Sequence, residues 1–114
     1  MNTIINTGAP QNESSIVIRY VNQSNFYWMG VGCFGHQYSI GRMLNGLPTE
    51  LSGSGSAYSV EQGVTYTLTA IANGNLLTLY VNGTQVQQIT DNSLATGKFG
   101  IRTYSSSIQT LDIS

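Results

Sequence analysis

Charge is what this chain has least of. Only 8% of its 114 residues are charged and the formal net charge is −1, against about 25% charged residues in an ordinary soluble domain. Its cations, Arg19, Arg42, Lys98 and Arg102, are scattered. Phosphate backbones are bound by clustered Lys and Arg, so nucleic acid is excluded as a partner. The single cysteine, Cys33, excludes an internal disulfide. It reads as a small buried hydrophobe rather than a reactive thiol. One histidine beside one cysteine is too few for a histidine-based zinc site. No apolar run nears the ~20 residues of a membrane span, so membrane insertion is not expected. The opening Met1-Asn2-Thr3-Ile4-Ile5 lacks the basic start and long apolar region of a signal peptide.

What the chain has instead is Ser, Thr, Asn, Gln and Gly, together about half of it. Solubility therefore rests on neutral hydrogen-bonding side chains. Secreted modules, adhesins and viral fibres share such surfaces, so the expected setting is extracellular, cell-surface or virion-associated. Asn-Gly and Gly-Asn steps at Asn45-Gly46, Asn73-Gly74-Asn75 and Asn82-Gly83 separate alternating runs. These residues accept the positive φ that tight hairpins demand. The class is all-β: an antiparallel two-sheet β-sandwich with no helix longer than a turn.

Residues 1–14 are polar and read as an arm or linker, with a short edge strand over 3–6 as the other reading; residues 15–114 read as one β-sandwich domain. Strands are expected over 15–21, 26–33, 37–44, 48–51, 66–72, 76–81, 85–89, 98–104 and 108–113, with a flexible loop tip at 52–56 and a loop at 91–96. Alternation puts Leu77, Leu79 and Val81 on one face, Tyr66, Leu68, Ala70 and Ala72 on another, and groups Ile16, Ile18 and Tyr20. The predicted core holds Leu68, Leu77, Leu79, Val81, Phe99 and Ile101.

The series "Ile-Arg-Tyr-Val", "Tyr-Ser-Ile-Gly-Arg", "Val-Thr-Tyr-Thr-Leu", "Leu-Thr-Leu-Tyr-Val-Asn-Gly" and "Gly-Lys-Phe-Gly-Ile-Arg-Thr-Tyr" resembles the concanavalin A-like lectin/glucanase superfamily. It looks closest to the laminin-G-like and carbohydrate-binding jelly rolls of bacteria and phages. The resemblance spans 15–113 and marks strands rather than a ligand. It implies two curved antiparallel sheets, glycan binding on loops or on the concave sheet, and in some members a structural calcium. Members usually carry further strands before the run at Ile16. Only 14 polar residues precede it here, so the resemblance implies an N-terminally trimmed sandwich or one covered by a neighbouring chain.

Glycan recognition needs aromatic faces for the C–H side of a sugar ring and polar groups for its hydroxyls. The candidates are Trp28, His36, Tyr38, Arg42, Tyr58, Arg102 and Tyr104. Trp28 reads equally as core filler or as an exposed platform above Gly30 and Gly32. The platform reading has Tyr27, Met29, Val31 and Cys33 in the core and lets Trp28 converge with His36, Tyr38 and Arg42. Arg42 and Arg102 fit a sugar acid or a salt bridge to Glu50 or Asp112. No cofactor is expected. Asp91 and Asp112 are weak calcium candidates, with turn capping and solvation as the plain readings. Glycoside hydrolysis needs two carboxyls on one face, and no strand supplies such a pair.

The sequence therefore points to a non-catalytic, lectin-like carbohydrate-binding domain that attaches to a glycan-bearing surface. The alternative is a structural or receptor-binding tip of a phage-like or bacterial fibre; a glycoside hydrolase is third. Missing cover over the sandwich also predicts a homo-oligomer, a trimer if a fibre tip, with the arm over 2–12 lying along a neighbour.

Overall fold

The computed structural model describes residues 2–7, 13–60, 65–104 and 106–112, and side chains over 14–56, 58–60 and 66–100. Its strands are β1 (Asn2–Thr7), β2 (Glu13–Asn22), β3 (Asn25–Val31), β4 (Tyr38–Leu44), β5 (Leu47–Ser54), β6 (Thr65–Asn73), β7 (Leu76–Val81), β8 (Thr84–Thr90), β9 (Lys98–Tyr104) and β10 (Ser106–Asp112). They form two five-stranded antiparallel sheets. The first runs β10-β1-β6-β7-β8 and the second β5-β4-β3-β2-β9. Short 3₁₀ turns at Cys33–Gly35 and Ala57–Ser59 complete the order. The fold is the antiparallel β-sandwich that the turn chemistry predicts.

Those turns are built as their residues require. Asn45 and Gly46 have φ of 52° and 80°, and Asn82 and Gly83 have 53° and 82°. Both central residues are left-handed, which matches the twist of the strands they join. Asn82 also accepts from the Thr67 N–H at 2.9 Å, tying its turn to β6.

The core lies between the sheets. Ile16, Ile18, Tyr27, Met29, Val31 and Ile40 meet Leu68, Ala70, Leu77, Leu79 and Val81, with Val60 and Leu94 closing over from loops. The expected buried leucines and Val81 are there. Gln87 ties an edge: its Nε2 donates to the Tyr38 carbonyl at 3.1 Å and to Ser54 Oγ at 3.0 Å, joining β8 to β4 and β5.

Four expectations change. Asn2–Thr7 is a strand, as the second of the two readings had it, and neither an arm nor an edge strand. It lies between β10 and β6, paired to both, and supplies from within the chain the strand that the resemblance made look missing. The reason for a neighbour's cover goes with it. Second, β5 runs through Ser54, so part of the expected loop tip is strand. Third, Arg19 has φ 50° and sits where β2 shifts register against both β3 and β9. A bulge inserts one residue and inverts the alternation beyond it. Tyr20 therefore leaves the Ile16 and Ile18 face and stacks on Phe26, ring centroids 5.8 Å apart, on the outer side of the second sheet. Fourth, Phe99 falls in that same shift on an edge strand and is 49% exposed rather than core. Ile101 pairs in register with Ile16; its side chain lies outside the described residues.

Candidate functional site

The outer face of the second sheet carries a hydrophobic cluster of its own. Val17, Phe26, Trp28 and Cys33 are buried there, flanked by Tyr20 and Met43. Alternation explains the division. Tyr27, Met29 and Val31 point into the sandwich, so Phe26 and Trp28 point away from it. Neither of the two readings of Trp28 holds whole: its ring lies on the outer face of the sheet, yet it is fully buried. The indole lies flat over Gly41, where an added Cβ would overlap its ring. Its Nε1 donates to Ser39 Oγ at 3.3 Å.

Its cover comes from the turn at the end of β3. Gly32, with φ 75°, ends the strand, and Cys33–Gly35 folds back as a single 3₁₀ turn. The loop closes through Gly32 N–H to the Gln37 carbonyl at 3.1 Å and His36 N–H to the Cys33 carbonyl at 2.9 Å. This lays the Phe34 ring on Trp28, centroids 5.1 Å apart and planes 10° from parallel. The early Gly32 turn also moves Cys33 out of the Tyr27 face and into the Trp28 cluster. Phe34 is 52% exposed and has φ 53°, ψ 31°. Bulky residues rarely adopt that conformation, at a cost of roughly 1–3 kcal/mol. The surface platform expected of Trp28 is thus Phe34, with Trp28 beneath it.

Beside this stack runs a polar chain. Ser39 Oγ, which accepts from Trp28, donates to Glu50 Oε2 at 2.7 Å. His36 Nδ1 meets the same carboxylate at 2.8 Å. A carboxylate only accepts, so the imidazole bonds it through Nδ1–H. Gly53 leaves the space: a Cβ there would collide with Glu50 and His36. Tyr58, exposed on the Ala57–Ser59 turn, lies close by, because that turn packs beside Cys33–Gly35.

Two candidates fall elsewhere. Tyr38 and Arg42 share the inward face of β4 with Ile40, so neither converges with Trp28. Tyr38 packs against the central core. Arg42 sits opposite Tyr27, and its Nη1 donates to Asp91 Oδ2 at 2.7 Å and Ser93 Oγ at 2.9 Å. Its acidic partner is therefore neither Glu50 nor Asp112. Arg102 and Tyr104 pair in register with Ser15 and Glu13 on β9; their side chains lie outside the described residues. Asp112 pairs with Asn2 on β10, and its side chain too lies outside them.

Asp91 is a structural hub. Tyr27 Oη donates to its Oδ1 at 2.6 Å, Ser93 N–H caps it at 2.9 Å, and Arg42 pairs with it. Burial pushes its carboxyl upward, but the Tyr27, Ser93 and Arg42 contacts outweigh that and hold it below the usual aspartate value. Burial, reinforced by the bond to Asp91, raises the Tyr27 hydroxyl. The capping role expected of Asp91 is what its geometry serves.

Sequence reasoning missed Phe34, Ser39 and Glu50. Gly32 and Gly35 bracketing Phe34 were a readable signal for a turn. Nothing local marks Glu50 as the partner of His36.

No protein-family model matches the chain, and no curated protein matches its sequence. Solved structures do match its fold. Carbohydrate-binding module CBM66 from Bacillus subtilis superposes with a TM-score of 0.80 at 16% identity, over 95% of this chain and 69% of that one. Caenorhabditis elegans galectin LEC-6 gives 0.61 at 15% identity, covering 96% and 80%. Sheep galectin-11, in complex with glycerol, gives 0.57 at 14% identity, covering 95% and 86%.

Proposed function

We propose that this chain is a non-catalytic carbohydrate-binding domain, and that Phe34, Tyr58, His36 and Glu50 form the face that meets the sugar. The observation that carries the reading is Phe34. The chain holds this ring half-exposed, in a strained backbone conformation, flat on a buried indole and beside a fixed carboxylate–imidazole pair. A sugar ring needs this combination: an apolar face for its C–H side and oriented donors and acceptors for its hydroxyls. The fold shared with a carbohydrate-binding module and two galectins supports the reading. The glycan sits on a cell or virion surface outside the cytoplasm, and the domain attaches its bearer to it.

A glycan array, followed by calorimetry on the strongest binder, tests this. Phe34→Ala should lower affinity about tenfold or more, as loss of an aromatic anchor does, with the fold retained by circular dichroism. An array without binders, or a variant that binds as the parent does, would refute the assignment.

A further inference from the structure

At the other end of β3 from Phe34, the Arg19 bulge opens onto a cleft. Arg19, Gly74, Asn75, Asn92, Leu94 and Ala95 line about 140 Å³. That is smaller than the roughly 300 Å³ at which drug-sized pockets begin, and it suits a single small ring or a chain end. The walls are fixed to one another. Asp91 N–H donates to the Asn75 carbonyl at 2.9 Å, tying the 91–95 loop to the 73–75 turn. Leu94 N–H donates to Tyr27 Oη at 3.1 Å, and Arg19 Nη1 donates to the Leu94 carbonyl at 3.0 Å. Gly97 presses against the Arg19 backbone, where a Cβ would clash. The bulge is therefore clamped from behind.

Arg19 is the feature that asks for a ligand. A guanidinium offers five N–H donors, and among the described residues its one side-chain bond is to the Leu94 carbonyl. Among the described residues the ion pairs are His36–Glu50 and Arg42–Asp91, and neither involves Arg19. Asp91, in the loop that forms one wall, is already matched by Arg42. Lys98 pairs in register with Tyr20, next to the bulge, and adds a second cation at this end. Bulges collect at sites where a side chain must be re-aimed, and a left-handed arginine is an outlier that the surrounding contacts must hold.

We propose that this cleft is a second ligand site, one that takes the carboxylate of an acidic monosaccharide unit. Arg19 engages the carboxylate, in the geometry guanidinium and carboxylate share. The amides of Asn75 and Asn92 read neighbouring hydroxyls, and Leu94 and Ala95 give the ring an apolar floor. The site stands apart from the Phe34 face and does not depend on it.

The test is an NMR titration of the ¹⁵N-labelled chain with sodium D-glucuronate, D-glucose and sodium acetate in parallel. Glucuronate should shift Asn75, Asn92 and Ala95 saturably, and glucose and acetate should each bind ~tenfold more weakly, the scale of one charge-assisted hydrogen bond. Arg19→Gln should weaken glucuronate by a similar factor. Asn92→Asp, an exposed change that leaves the bulge intact, should do the same by repulsion. Glucuronate that shifts nothing in the cleft, or that binds no better than glucose, overturns the proposal. Acetate equal to glucuronate overturns the saccharide part. Should Arg19→Gln unfold, Asn92→Asp decides: unchanged glucuronate affinity there is a refutation.

Discussion

The two sheets use their outer faces in opposite ways. On the first sheet, Thr69, Ile71, Thr78, Tyr80 and Gln88 alternate with the core residues of β6, β7 and β8. The contacts there are modest and polar: Gln88 Nε2 donates to Thr78 Oγ1 at 3.0 Å, and Ile71 is exposed as a single residue. On the second sheet the same alternation delivers Val17, Phe26 and Trp28; a turn folds back to lay Phe34 on Trp28, and Tyr20 stacks on Phe26. Among the described residues, over β6 to β8, the first sheet's outer face is finished with polar and half-exposed side chains and no second apolar cluster. The other is built as a second hydrophobic layer with an aromatic lid, which a sandwich does not need for its own closure.

If the outer layer is a true second core, Trp28→Ala should cost about 3–5 kcal/mol in urea unfolding, as buried aromatic truncations do. That would match or exceed Leu79→Ala in the central core, expected at about 2–5 kcal/mol. A Trp28→Ala cost below ~0.5 kcal/mol, the surface range, would erase the distinction between the faces. Phe34→Ala sharpens the contrast from the other side: it should leave stability within ~1 kcal/mol while affinity falls, which separates the lid from the layer beneath it.

Acid should strike the hub between the sheets. The folded aspartate value at Asp91 is depressed from its ordinary 3.8. Its contribution is therefore whole above about that pH and is lost as pH falls through the lower folded value. Tyr27 runs the other way: its raised hydroxyl contributes fully below the ordinary 10.0 and loses that contribution as pH climbs through the folded value. Urea midpoints measured from pH 5 down to pH 2 should drop, and Asp91→Asn should flatten that drop. The smallest effect belongs to the polar face, where Thr69→Ala should stay within ~0.5 kcal/mol. A larger loss would mean that face is also specialised.

Much of the fold was legible because Asn-Gly turns fix hairpin register, and register fixes which side chains face inward. Leu68, Leu77, Leu79 and Val81 followed from that alone. Trp28 shows where the reasoning stopped. Alternation sets it opposite in side to Tyr27 but does not say which of the two faces the core, and its burial depends on how Gly32 to Gly35 fold over it. Arg19 hid a bulge that no residue in Ile18-Arg19-Tyr20 announces, and the bulge moved both Tyr20 and Phe99. His36 and Glu50 meet only because β4 and β5 shift register between Ile40 and Gly41. The strand at Asn2–Thr7 is short and sits in a polar stretch, so its pairing was set by partners far along the chain.

That strand has a mechanical consequence. Asn2 pairs with Asp112 and Thr7 with Ser106, antiparallel, along one ladder. Tension entering at Asn2 and leaving at Asp112 would pull the two strands apart from their shared end. The rungs would then be loaded one after another, as in a zipper, instead of all together in shear. A tether attached at both of those points would find this ladder the first to peel. One attached through β1 alone would pull on its rungs with β6 as well, and would meet a stiffer grip.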